Sequence, residues 1–308
     1  MASENYTLQD VKGIKEPFDN AARTAIMSYA SLPVFKVEST EQFSEIFTST
    51  ESISGTRALS ELESPDTNAL EDGYTVTLTD VRFGNSINIS STDKQKFKDG
   101  SVSVDKYLMR QTREILRDVQ NFFIQGIHDL YNNGFVTTYH AAPDAVALFG
   151  THSWNTDGST SWDNGVTAAL AQTSVDAAML FGGNFKDGSG KPMPQTYDTI
   201  FVKTGGSASR EAKKLFAENI SPVAVNDINI YQGEFTIVES PYLTSSTAWF
   251  MLDTKKYDAP VYAGIGKFPT MDEPIRQNNM SDRVNVEGFW KLGIPNLPFN
   301  AYGSTGAA

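Results

Sequence analysis

The sequence contains no cysteine among its 308 residues and only three histidines. Without cysteine there are no disulfides, thiolate zinc sites, iron–sulfur clusters or cysteine nucleophiles. His128, His140 and His152 show neither His-x-His nor HExxH spacing, so any metal site would have to lean on carboxylates. Basic charge is short as well: 25 Lys and Arg stand against 37 Asp and Glu, a formal net charge of −12. That balance argues against tight, sequence-independent nucleic-acid binding, which needs a basic surface. Apolar runs such as 145–149 fall far short of the ~20 residues a membrane helix requires. Residues 1–20 lack a basic n-region and an apolar h-region, so the expectation is a soluble chain that stays inside the cell that makes it. No G-x-S-x-G elbow occurs. The fragment 188–191 has Phe185 and Pro192 where a P-loop needs Gly and Ser or Thr, so it reads as a turn. Gly205-Gly-Ser207 reads as a helix N-cap before it reads as an anion site. No catalytic residue, metal or cofactor is expected.

The 40% hydrophobic content is ample for a core, and its patterning divides the chain. Phe18, Ala22, Ala25, Ile26 and Tyr29 have helical spacing behind Asp19 and Asn20, with Pro33 ending the run. Ser39, Gln42, Phe43, Ile46 and Phe47 predict a second short helix opened by a capping box. Residues 48–71 are rich in Ser, Thr and Glu with little periodicity, either disordered or an extended loop whose partner lies on another chain. Tyr74, Val76 and Leu78 alternate with threonines as a strand does. The phase slips at Asp80, and Val81, Phe83, Ile87 and Ile89 resume, which predicts a bent ribbon carrying the loop. Then the period changes to 3.6. Leu108, Ile115, Val119, Phe122, Phe123, Ile127 and Leu130 form one stripe, and Asn132-Asn133-Gly134 is a stop signal, giving a helix over 104–132.

The second half alternates helix and strand signals. Helices are expected after Thr173 and after Ser207, and strands at 199–202, 228–231, 235–238, 249–252 and 261–265. From Pro269 the pattern suggests short strands and turns, ending in small flexible residues from Gly303. Trp154, Trp162, Trp249 and Trp290 read as core or interface.

Charge is unevenly spread. Residues 37–93 hold eleven acids against Arg57 and Arg82, a balance of −9. Residues 94–117 hold seven bases against three acids, a balance of +4. Two solvated faces would account for this. So would an acidic projecting loop (Arg57, Glu61, Glu63, Asp66, Glu71, Asp72) docking on a basic helix face (Arg110, Arg113, Arg117) of a neighbouring subunit.

In order along the chain come Gly55-Thr-Arg-Ala-Leu-Ser-Glu-Leu62, Tyr74-Thr-Val-Thr-Leu78 and Phe83-Gly-Asn-Ser-Ile-Asn-Ile-Ser90. A Lys- and Asp-rich turn over 93–100 precedes the long helix, and Leu148-Phe-Gly-Thr-His-Ser153 follows it. Gly190-Lys-Pro-Met-Pro-Gln-Thr-Tyr-Asp-Thr-Ile-Phe-Val202, Glu239-Ser-Pro-Tyr-Leu-Thr244 and Ala248-Trp-Phe-Met-Leu-Asp253 complete the series. Together, over about 18–302, they resemble the major capsid proteins of tailed phages with the Hong Kong 97-type fold, the pattern being closest to Mu-like major head subunits. The resemblance implies an α+β chain with an N-terminal arm (1–47) and an extended loop (48–90). A peripheral domain (91–159) would contain a spine helix at about 104–132. An axial domain (160–252) and a return to the peripheral domain with a C-terminal tail (253–308) would follow.

It also implies a structural, non-enzymatic subunit of an icosahedral head, assembled in the host bacterial cytoplasm from hexamers and pentamers. The implied partners are further copies of the chain, a separate scaffolding protein, a portal and decoration proteins. Double-stranded DNA would be enclosed without sequence-specific binding, and no membrane is involved. Some relatives join a loop Lys to an Asn on another subunit. No Lys occurs over 37–93 here, so that cross-link is not expected. Some relatives also lose a long N-terminal scaffolding segment; this chain begins almost at the arm, which suggests a mature form or a separate scaffold. An encapsulin-like compartment shell shares the fold and is the alternative. A carboxylate-dependent hydrolase is the alternative from another class.

Overall fold

The computed structural model describes residues 2–50, 72–98, 103–216 and 231–306. Helix α1 (Ala2–Ser28) is longer than its periodicity suggests and contains Pro17. It starts well before Asp19, because that residue does not cap it. Asp19 Oδ1 instead accepts the Met271 N–H at 2.9 Å. Its Phe18, Ala22 and Ile26 are buried, and it packs on the long helix and the main sheet.

Strands β1 (Lys36–Ser39) and β2 (Ser44–Thr50) replace the expected second helix. Phe43, Ile46 and Phe47 fit helical spacing, but Ile46 and Phe47 lie in a strand that pairs antiparallel with β3 (Asp72–Thr79), Ile46 opposite Thr77 and Phe47 opposite Val76. Pairing decides here, as it commonly does for short β-branched and aromatic runs. The ribbon is therefore β2–β3. Strand β4 (Val81–Ile89), expected as part of the ribbon, leaves it after Asp80 and joins the main sheet.

Helix α2 (Ser91–Lys98) leads to α3 (Val104–Asn132), whose ends match the sequence reading. At 1.5 Å per residue, its 29 residues span about 43 Å. Leu108, Ile115 and Val119 enter one apolar core with α1 and β4, whereas Phe123, Ile127 and Leu130 enter a second. Phe122 departs from the expected stripe. Next to Phe123 and about 100° around the helix, it points sideways and is exposed.

Strands β5 (Thr151–Ser153), β6 (Ser161–Asp163) and β7 (Gly165–Val166) precede α4 (Gln172–Gly183). The Ser174 hydroxyl, rather than Thr173 or Asp176, closes the start of α4 by accepting the Ala171 N–H at 2.9 Å. Then follow β8 (Thr199–Lys203), α5 (Ser207–Phe216), β9 (Thr236–Ser240) and β10 (Trp249–Leu252). The expected strand over 228–231 falls largely outside the described residues, and Tyr231 itself lies in a turn. Strands β11 (Tyr262–Met271), β12 (Ile275–Arg276), β13 (Asp282–Gly293) and β14 (Ala301–Ser304) complete the chain.

Two five-stranded sheets result. In the first, β13 carries β4 on one edge and β11, then β12, on the other, with β1 parallel outside β11. In the second the order is β7-β14-β10-β8-β9. The region after Pro269, expected as short strands, contains the twelve-residue β13 at the centre of the first sheet. The expected flexible end, from Gly303, instead starts inside a buried strand, β14, of the second sheet. Its small residues are a packing requirement, since a Cβ at Gly303 would meet the Phe149 ring at 2.6 Å.

Candidate assembly surfaces

The groups that the sequence offered as possible chemistry are occupied internally. At 187–191, Asp187 Oδ1 accepts the N–H groups of Ser189 and Lys191, each at 2.9 Å, and so takes donors a phosphate would need. At the start of α5, the Ala208 N–H donates to the Ser246 carbonyl at 3.0 Å, and the Ser207 hydroxyl donates to the same oxygen instead of capping. That carbonyl stands where an anion would sit.

His128 is fully buried. Burial pulls its imidazole down to about 4, so the ring is neutral at pH 7. A carbonyl only accepts, so Nδ1–H donates to Ile124 at 2.6 Å and Nε2 accepts from the Ser240 hydroxyl at 2.7 Å. His152 faces two acceptors, Asp144 at 3.0 Å and the Leu148 carbonyl at 3.3 Å, and stacks on Trp162. Asp144 is held below the usual carboxylate range; hydrogen bonds from His152, Ser153 and Val146 outweigh its burial. Among the described residues no three His, Asp or Glu side chains converge as a metal site, and no helix is long and apolar enough to cross a membrane. Trp162, Trp249 and Trp290 are core residues.

Two exposed surfaces among the described residues bear on the expected contacts, those of the spine helix and the ribbon. Arg110, Arg113 and Arg117 lie three and four residues apart on α3, which places them on one exposed face. Arg117 pairs within its own helix with Glu114, whereas Arg110 and Arg113 have no ion pair among the described residues. Other bases of this stretch are spent inside the subunit: Lys94 on Asp282 at 2.7 Å and Lys96 near Asp93.

The ribbon has two faces. One packs inward, with Leu78 buried and Phe47 against Tyr262 at 5.3 Å between ring centroids. Toward its tip, the Tyr74 hydroxyl donates to the Asn155 carbonyl at 2.8 Å. The other face is open, with Ile46 69% exposed among Thr48, Thr75 and Thr77. Asp72 is exposed at the start of β3. Arg57, Glu61, Glu63, Asp66 and Glu71 lie outside the described residues.

Between ribbon and spine runs a groove of about 550 Å3. Its walls are Thr77, Thr79 and Val81 on one side and Phe122 and Gln125 on the other, with Trp290 among its lining residues. Phe122 stacks on Trp290 with ring centroids 5.0 Å apart, which explains why an aromatic residue is retained at an exposed position.

The ribbon root contains a charge cluster that the sequence pattern does not reveal. Lys291, near the end of β13, exposes none of its side chain. Its Nζ donates to the Gln42 carbonyl, lies 3.4 Å from Glu45 Oε1 and lies 3.6 Å from Asp80 Oδ1. The Tyr262 hydroxyl donates to Glu45 Oε2 at 2.7 Å. Burial pushes the Asp80 carboxyl up despite Lys291. Burial acts on Glu45 too, but hydrogen bonds from Thr40 and Tyr262, with Lys291, overcome it and hold that carboxyl down. Lys291 follows Trp290 directly, and both are buried although they point to opposite faces of β13. A lysine at the end of a strand gives no sequence sign that the ribbon covers it.

The match to a family model decides what these surfaces belong to: a phage capsid protein family fits residues 83–291, more than half of the chain. The chain belongs to that family. As a phage capsid protein it is a structural subunit of a multi-subunit shell, and its place is the virion.

Solved structures agree on the fold. The capsid of the cyanophage P-SCSP1u is similar at 11% identity, covering 89% of this chain and 86% of that chain, with a TM-score of 0.53. A Mycobacterium phage Bobi chain is similar at 10% identity over 91% and 89%, with a TM-score of 0.51. The mature capsid of bacteriophage PhiM1 is similar at 11% identity over 88% and 84%, with a TM-score of 0.50. Identities this low speak for architecture alone, and that architecture is the α+β Hong Kong 97-type capsid fold. No curated protein sequence matches the chain.

Proposed function

We propose that this capsid protein builds an icosahedral phage head from hexamers and pentamers around double-stranded DNA, and that neighbouring subunits are held in register by charge between ribbon and spine. The family match over 83–291 carries the shell reading. The register reading is supported by Arg110 and Arg113, exposed on α3 without an ion pair among the described residues, and by the acids that the sequence carries over 61–72. In this reading Glu61, Glu63, Asp66, Glu71 and Asp72 meet Arg110, Arg113 and Arg117 of a neighbouring copy, with Arg57 in the same loop.

An exposed ion pair contributes only about 0.2–1 kcal/mol, so the pairs act through repetition around each ring and not singly. The net charge of −12 suits a container that must enclose DNA without holding it tightly. The proposed division is an arm (1–47), an extended loop (48–90, although its strand β4 pairs into the main sheet), a peripheral domain (91–159 and 253–308) and an axial domain (160–252). The order of the motifs supports a Mu-like head, built in the host bacterial cytoplasm on a separate scaffold, with a portal and decoration proteins.

Electron microscopy of the purified protein tests the reading. Closed shells, tubes or capsomer rings are expected, with nucleic acid inside shells from infected cells. A chain that stays monomeric under every assembly condition would overturn it, and shells filled with cargo protein would favour an encapsulin-like compartment.

A further inference from the structure

The cluster at the ribbon root has features that an ion pair alone does not need. A cation stands between two carboxylates, and the three side chains are nearly dry: Lys291 exposes none of its side chain, Asp80 6% and Glu45 14%. The two carboxyls are driven in opposite directions, Asp80 toward the neutral acid and Glu45 toward the ionised form. Asp80 Oδ1 is buried without a hydrogen-bond partner and faces Nζ. Strand β11 makes room for both reacting side chains with glycine. A Cβ at Gly264 would meet Lys291 Cγ at 2.9 Å, and a Cβ at Gly266 would meet the Asp80 carboxyl at 2.1 Å.

We propose that Lys291 and Asp80 become joined by an intramolecular amide bond, with Glu45 as the proton-transferring group. Glu45 takes a proton from the Lys291 ammonium. The freed Nζ lone pair attacks Cγ of Asp80 in its protonated form, the form that burial favours. In the tetrahedral adduct Nζ loses a second proton, relayed through Glu45, and the Asp80 hydroxyl departs with a proton as water. One C–N bond forms, one C–O bond breaks, one water leaves and one proton remains on Glu45 to pass to solvent. No oxidant, reductant or nucleotide is consumed. Dryness favours the condensation, because the water it releases is not held at the site. Confining the partners within 4 Å supplies the proximity that a condensation between free side chains lacks. The bond ties the start of β4 to the end of β13, within one subunit, and thereby fixes the root of the ribbon.

Mass spectrometry of the full-length protein from assembled shells, denatured before measurement, tests this directly. The expected mass is that of the chain less one water. After tryptic cleavage, residues 58–82 should appear covalently joined to residues 284–308, because an acylated Lys291 is no longer cut. In Glu45→Gln the joined species should form about a hundredfold more slowly, and in Asp80→Ala it should be absent. A wild-type chain of full mass, with normal cleavage after Lys291, overturns the proposal whatever the variants do. A joined species that forms at the wild-type rate in Glu45→Gln overturns the role given to Glu45.

Discussion

Lys291 and Arg113 each carry a positive charge, yet one stands between two carboxylates and exposes none of its side chain, and the other lies exposed on α3 without an ion pair among the described residues. Around Lys291 water is gone, so each charge must be matched inside the subunit by Glu45, Asp80 and the Gln42 carbonyl. Around Arg113 water already satisfies the charge, and a partner contributes little until many copies repeat the contact. The buried cluster governs the shape of one subunit. The exposed face is where the proposed contact between subunits would form. Substitutions should separate the two roles.

The largest effect is expected from Lys291→Met. In the subunit before any amide forms, removing the cation leaves the Asp80 and Glu45 carboxyl groups unmatched at a dry site, and unfolding in urea should show a loss of about 3–5 kcal/mol. A loss under 1 kcal/mol would mean that water reaches the cluster, and the contrast with Arg113 would collapse.

Next comes acid. The folded value of His128 lies near 4, below its ordinary 6.5, so the unfolded chain binds more protons between these values. The stability that His128 contributes is complete above about 6.5 and is lost as pH falls toward 4, by roughly 3 kcal/mol in all. Chemical denaturation from pH 7 to 4 should show that slope, and His128→Asn should flatten it. An unchanged slope in the variant would assign the acid sensitivity to other groups.

A smaller effect on folding, about 0.5 kcal/mol or less per site, is expected from Arg110→Glu, Arg113→Glu and Arg117→Glu. The triple variant should nevertheless fail to form closed shells while its circular dichroism and melting stay near wild type. Wild-type yields of shells at low salt would refute the docking of loop on helix. Smallest is the response to ionic strength. Raising salt well beyond the ~10 Å screening regime of 0.1 M should slow wild-type assembly and leave urea stability nearly unchanged.

Legibility in the sequence followed how local each cause is. Helix α3 is readable at both ends, because a 3.6 period and an Asn-Asn-Gly stop act within the segment itself. Strand β2 is not. Its Ile46 and Phe47 suit a helix equally well, and only the partner strand beyond 51–71 decides the matter. Strand β13 hides because Gly288 and Phe289 break its alternation. Gly288 is dictated by a distant neighbour, the Phe83 ring lying where its Cβ would stand, and Lys291, polar as the pattern expects, is buried all the same beneath the ribbon root. Strand β14 looks like a tail for the same reason, its glycine being required by Phe149. The arginine face was legible as charge, whereas the Lys291 cluster joins residues 45, 80 and 291 and has no local signature.

The length of α3 has a mechanical consequence. Leu108 and Val119 are held in one core and Phe123 and Leu130 in another, so the rod is clamped over most of its about 43 Å. A rod clamped in two places cannot pivot at one without levering the other. A push at Arg110 therefore arrives at Tyr131, whose hydroxyl donates to the Val34 carbonyl at 2.8 Å, and so reaches the chain just before β1. The helix is built as a strut that joins its exposed end near Arg110 to the core around Tyr131.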